Sequence, residues 1–133
     1  MIFVDSSFWI GLSDRRDQRH GQATTLFRMH QGAGLVTTNH VRGETWTFLR
    51  KRHSHAAAVR FVDSTENTDR LRVVQAPEDV EREAWSWLRR HDERVYSFVD
   101  ATSFALMRSL GIREALAFDD DFTAAGFVQL RAQ

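Results

Sequence analysis

Four acidic positions stand out in this 133-residue chain because of what surrounds them. Asp5 ends the apolar run Ile2, Phe3, Val4. Asp119 opens an acidic triplet with Asp120 and Asp121 directly after another apolar run. Glu44 lies in "TTNHVRGETWTFL" and Asp100 in "YSFVDATSFALM". Taken singly, three of them have ordinary explanations: Asp5 as the cap of a helix begun by Ser6 and Ser7, Asp100 as an N-cap or first-turn acid, and the triplet as a turn before "FTAAG". Glu44 has no capping role to explain it. At about 100° per residue it falls at the edge of a stripe made by Val41, Thr45, Phe48, Leu49 and Arg52, so it is expected half-buried beside Phe48. A half-buried carboxylate calls for a cation or a basic partner. Four carboxylates at one rim would repel each other unless Mg²⁺ or Mn²⁺ is bound among them. Such hard ions take oxygen ligands, and Mg²⁺ uses few carboxylates, leaving room for waters and phosphate oxygens. The chemistry to expect is therefore phosphodiester hydrolysis.

The elements that would bring these acids together are legible as well. Short apolar runs predict strands at 2–4, 35–38, 71–75, 115–118 and 127–130. Apolar positions at i, i+3 and i+4 predict helices at 20–31, 41–52, 55–66, 78–92 and 100–110, with Gly32 and Gly111 as stop signals and a short helix before the last strand. Strands alternating with helices predict an α/β fold: three layers, α/β/α, around a mostly parallel central sheet of about five strands. Ligands of open parallel sheets bind outside the carboxyl ends of the strands, which is where Asp5 and Asp119 fall.

Composition narrows the class. The length and the 42% hydrophobic content suit one domain, residues 1–133, without repeats or linker. Eighteen basic and eighteen acidic residues cancel, so any nucleic-acid site must be a local patch. All but one of the basic residues, Lys51, are arginine, which suits bidentate phosphate contacts as well as an arginine-favouring genome. The absence of cysteine fits a reducing compartment. No stretch has the roughly 18 apolar residues of a membrane span.

The stretches "FVDSSFW", "NHVRGETWTFL", "YSFVDATSFALM" and "AFDDDFTAAGF", in that order over residues 1 to about 130, resemble the PIN-domain ribonucleases, specifically the VapC toxins of bacterial toxin–antitoxin pairs. The resemblance implies a PIN-like fold and an Mg²⁺- or Mn²⁺-dependent endoribonuclease of the bacterial cytoplasm. It also implies a VapB-type antitoxin partner and usually a homodimer. It matches Asp5, Glu44 and Asp100 to the three core acids and Asp119, Asp121 and Phe122 to the last acidic motif. Asp5, Asp100 and Asp119 are then the metal ligands, with Asp121 a second ligand or water-orienting residue and Asp120 facing solvent. Ser7 and Ser103 match hydroxyls that hold acids or waters in such enzymes, or are ordinary helix-start serines. The family cuts tRNAs or the sarcin–ricin loop of 23S rRNA; "YSFVDATSFA" with "GETWT" is most similar to the rRNA-cutting branch.

Around the rim, Arg42, Arg50 and Arg52 are candidate RNA contacts, alongside Arg15, Arg16, Arg19 and Lys51. The histidines His20, His40, His53, His55 and His91 lack paired metal spacing and read as surface residues or, at most, RNA contacts. Trp85 lies about 60° off the stripe of Val80, Ala84, Trp87, Leu88 and His91, and Trp46 is offset from its own; each is a candidate dimer or antitoxin contact, or part of a widely buried helix. A receiver domain would need an acid pair after the first strand and a late lysine. An aspartyl phosphatase would need Asp where Ser7 stands. The remaining alternatives are a tRNA-cleaving toxin, a PIN-like module that binds RNA or protein without cutting, and a structure-specific DNA nuclease, for whose insertions the chain has no room.

Overall fold

Ile2, Phe3 and Val4 are apolar without alternation, as a strand covered on both faces must be, and they form the middle of the sheet. The computed structural model describes residues 1–66 and 68–132. Among these, five strands, β1 (Ile2–Val4), β2 (Leu35–Thr38), β3 (Leu71–Val74), β4 (Glu114–Leu116) and β5 (Val128–Gln129), run in the order β3-β2-β1-β4-β5. Every neighbouring pair is parallel. The sheet expected as mostly parallel is parallel throughout.

Helices α1 (Ser6–Ser13), α2 (His20–His30), α3 (Asn39–Arg52) and α4 (His55–Glu66) occupy the crossovers that lead from β1 to β3, while α5 (Glu78–Arg90), α6 (Phe98–Leu110) and α7 (Asp121–Ala124) follow on the way to β5. Right-handed crossovers put the first four on one face and the last three on the other. The packing agrees, with α1 against α2 and α3, α3 against α4, and α5 against α6. The direction of winding reverses between β1 and β4, and that switch point is where parallel sheets open a crevice at their carboxyl ends.

Apolar spacing marks one helix between the first two strands, and the structure holds two, the other being the helix that Asp5 was read as able to cap. That helix is α1, whose sequence SSFWIGLS is apolar nearly all round and so carries no amphipathic signal; Ser6, Phe8, Trp9 and Gly11 are buried. Gly11 is fixed by close approach: a Cβ there would stand 3.1 Å from the Phe118 ring, which packs α1 against the loop after β4. Hydroxyl caps move two helix starts ahead of their apolar pattern. The Thr38 side chain accepts from the Val41 N–H and begins α3, and Ser97 accepts from Asp100 and begins α6.

Gly111 stops α6 as expected, in the left-handed region at φ 69°. Gly32 does not play that part: residues 31–33 form a 3₁₀ turn and Gly34, at φ 83°, makes the reversal into β2. Nothing crowds a Cβ at Gly111, so Gly111→Ala is expected to cost only its backbone strain, about 1 kcal/mol or somewhat more, read from the midpoint of urea unfolding. No helix among the described residues is long and apolar enough to cross a membrane.

Candidate active site

Asp5 is the first residue past β1, and its backbone N–H still donates to the Leu116 carbonyl of β4 at 3.0 Å. Its side chain is therefore delivered to the seam between the two strands at the switch point. One carboxylate oxygen, Oδ2, accepts from the Ser7 N–H at 3.1 Å and from the Ser7 hydroxyl at 2.8 Å, so the capping role is real. The other oxygen, Oδ1, is buried and has no hydrogen-bond partner. Asp5 is 1% exposed, and a buried acid oxygen left unpaired is costly. Burial, followed by the Asp119 charge and more weakly Asp100, pushes the Asp5 carboxyl up to about 8, against the two Ser7 hydrogen bonds.

Two further acids share this field. Burial also raises Asp119, against the hydrogen bond it accepts from the Asp121 N–H at 3.2 Å and a side-chain hydrogen bond with Asp5, whose protonated carboxyl can donate to it; the Asp121 charge adds to the rise. Asp100 is the third residue of α6 and reciprocates the Ser97 cap, its Oδ2 accepting from the Ser97 N–H at 3.1 Å. Burial pushes it up to about 6, with Ser97 opposing and Asp119 and Asp121 reinforcing. Asp121 differs. Arg94 donates to its Oδ1 from Nε at 3.1 Å and from Nη2 at 2.9 Å, so its charge is already matched. Arg94 escaped the sequence reading, because nothing in "HDERVYS" marks it. Asp120 is exposed.

Glu44 corrects an expectation. It is exposed, not half-buried, because the buried stripe of α3 is only Val41, Thr45 and Leu49, while Phe48 is 40% exposed. Its tether comes instead from α1, where the Ser6 hydroxyl donates to Oε1 at 2.5 Å. Asp5 and Glu44 are thus linked through consecutive residues of one helix start. Among the described residues no three acids or histidines close on one another tightly enough to form a ready-made ion cage. The buried Asp5 oxygen that no donor reaches, and the burial that raises Asp5, Asp100 and Asp119 alike, nevertheless fit a hard divalent ion, which needs only a few carboxylate oxygens from the protein.

Residues 2–128 match the PIN domain family. This chain is a PIN-domain protein. It is 53% identical, over the full length of both chains, to the 23S rRNA-specific endonuclease VapC20 of Mycobacterium tuberculosis. The crystal structure of that VapC20, described as a sarcin–ricin loop cleaving toxin, superposes with a TM-score of 0.95 at 51% identity, covering 99% of this chain and 100% of the other. The VapBC2 structure from Rickettsia felis, bound to a promoter DNA fragment, matches at a TM-score of 0.72 over 98% of both chains; at 9% identity it shares the fold alone.

Within this PIN fold the other sequence candidates separate. Ser7 bridges two segments, since its hydroxyl donates to Asp5 and accepts from the Phe118 N–H at 2.9 Å, tying α1 to the loop that carries Asp119. Ser103 is fully buried and donates back to the Val99 carbonyl at 2.9 Å within α6, so its hydrogen bond goes to backbone and not to an acid. Arg42 turns away from solvent, with Nε on the Thr65 hydroxyl at 2.9 Å and Nη2 on the Val62 carbonyl and Glu66. It clamps α3 to α4, and that employment takes it out of the RNA-facing set. Arg50 is exposed, and Arg52 lies 5.7 Å from the Phe48 ring centroid. Trp46 is half-buried edge-on to His55, whereas Trp85 is exposed.

His40, read from the sequence as a surface residue or RNA contact, lies one turn before Glu44 on α3, is half-buried and pairs its Nε2 with Glu81 Oε2 at 2.8 Å. The i, i+4 spacing of His40 and Glu44 was the available signal.

Proposed function

We propose that this PIN domain is a divalent-metal-dependent endoribonuclease toxin that cuts the sarcin–ricin loop of 23S rRNA and is restrained by a cognate antitoxin. The observation that carries the chemistry is the buried Asp5, whose unpaired Oδ1 shares its electrostatic field with Asp119 and Asp100 at the switch point. The choice of RNA rests on full-length identity to a relative of that specificity.

Asp5, Asp100 and Asp119 would hold Mg²⁺ or Mn²⁺. When bound, the ion supplies Lewis acidity, strengthening water as a nucleophile at neutral pH and offsetting charge on the phosphate and the departing 3′ oxygen. The chain's own groups do the rest. Ser7 orients Asp5, and Arg94 keeps Asp121 from adding a fourth unmatched charge. Glu44, held by Ser6 yet exposed, would orient and deprotonate the attacking water. Arg50 and Arg52 track the RNA backbone.

For the antitoxin, an apolar cleft of about 460 Å³ between α1, α2, α4 and β3 is lined by Trp9, Leu12, Phe27 and Leu71. Such a lining suits the apolar face of a docking helix or strand. The toxin acts as a homodimer in the cytoplasm, where ribosomes are.

The test is cleavage of a sarcin–ricin hairpin RNA and of total tRNA by the purified chain, with 5′ ends mapped. One cut in the hairpin is expected with Mg²⁺ or Mn²⁺, lost in EDTA and restored by added metal. Cuts confined to tRNA would overturn the target, and metal-independent cuts would overturn the mechanism.

A further inference from the structure

We infer that Trp85 is a stacking platform for an unpaired base of the RNA substrate, flanking the bond that is cut. The inference rests on the ribonuclease reading above and adds the residue that would grip a nucleobase. Trp85 sits on α5 outside its buried stripe of Val80, Ala84 and Trp87, and it is 53% exposed. One face of the indole lies on Phe98, with centroids 4.3 Å apart and planes 25° apart. Phe98 in turn meets His40 edge to face at 5.6 Å, and His40 is held by Glu81. The three rings form a row from α5 through the start of α6 to the start of α3. The row ends one helical turn, roughly 6 Å, from Glu44.

This arrangement fixes the indole plane before any ligand arrives. Loops of structured RNA present bases out of their stack, and proteins hold such bases on aromatic faces, each worth a sizeable share of binding. The flanks of Trp85 on α5 are charged, with Glu81 and Arg82 before it and Arg89 one turn after it; Arg82 pairs with Glu78. A stable protein interface needs roughly 1,200 Å² or more, and one tryptophan supplies about 150–250 Å². A single exposed ring among charges matches the area of a base, with arginines for the adjoining phosphates.

The test compares wild type, Trp85→Ala and Trp85→Phe on the sarcin–ricin hairpin. Trp85→Ala is expected to raise KM on the order of tenfold or more with kcat little changed, and Trp85→Phe to keep most of the affinity. In an Asp5→Asn background, 2-aminopurine at an unpaired loop position should be quenched on binding, and Trp85→Ala should abolish the quenching. Unchanged KM and quenching in Trp85→Ala would overturn the platform while leaving the ribonuclease intact. So would a Trp85→Ala effect explained by loss of dimer mass in light scattering, which would make the ring a subunit contact. A wild type that cuts neither hairpin nor tRNA would overturn the ribonuclease reading itself.

Discussion

Asp5→Asn is expected to lower the RNA cleavage rate by on the order of 10³-fold or more and, in metal-free buffer near pH 7 to 8, to make the protein more stable. The two effects share one cause. Burial pushes the native carboxyl up to about 8, from the ordinary aspartate value of about 4. The native state therefore binds more protons than the unfolded chain between those values, and stability falls as pH rises through that window. Below about pH 4 both states hold the proton and the penalty is absent; above about 8 it is complete. Asparagine never ionises, so its advantage over wild type should grow from near zero at pH 4 to a few kcal/mol at pH 8. It can still accept from the Ser7 N–H and keep the α1 cap. Paired Tm measurements over pH 4 to 8 read the difference. Added Mg²⁺ should raise the wild-type Tm more than that of the variant, since a bound ion replaces the missing partner of Oδ1. A variant less stable than wild type at pH 8 would show that Asp5 is not carrying an uncompensated charge.

That coupling was half visible in the sequence. The periods of apolar residues placed the strands and most helices, and an acid after a parallel strand is a rim acid whatever the remaining detail; Asp5 and Asp119 were legible for that reason. Glu44 was identified for a reason that fails. Helical count put it at an apolar edge, but a wheel cannot tell that Phe48 stays exposed, and the true partner, Ser6, comes from a helix with no amphipathic signal. Arg42 looked like any cation on a helix, and only the packing of α3 on α4 reveals its three contacts. Arg94 and Asp121 are 27 residues apart, and the Trp85, Phe98 and His40 row draws on three helices. Such pairings are set by tertiary placement, on which local periodicity is silent. The winding order, which places the seam between β1 and β4, was likewise beyond local pattern.

Ser7 is where that seam is fastened, and Ser7→Ala is expected to weaken both stability and activity in a pH-dependent way. The serine hydroxyl is the acceptor for the Phe118 N–H and one of two Ser7 donors to Asp5 Oδ2. Its removal leaves the amide without a partner and takes a hydrogen bond from the ionised carboxylate, together costing about 1–3 kcal/mol. The first loss is independent of pH. The second is not: the bond favours the charged form of Asp5, so without it the carboxyl rises further and the stability loss grows as pH increases. The same shift appears in catalysis with a direction of its own. Asp5 must be ionised to hold a cation, so the acid limb of kcat/KM should move to higher pH in Ser7→Ala, and more Mg²⁺ should move it back, because metal and proton compete for one oxygen pair. Ser7→Thr keeps the hydroxyl and should retain the wild-type limb. A Ser7→Ala enzyme with an unshifted limb at both low and high Mg²⁺ would mean that Ser7 merely ties α1 to the β4 loop and leaves the charge on Asp5 to others.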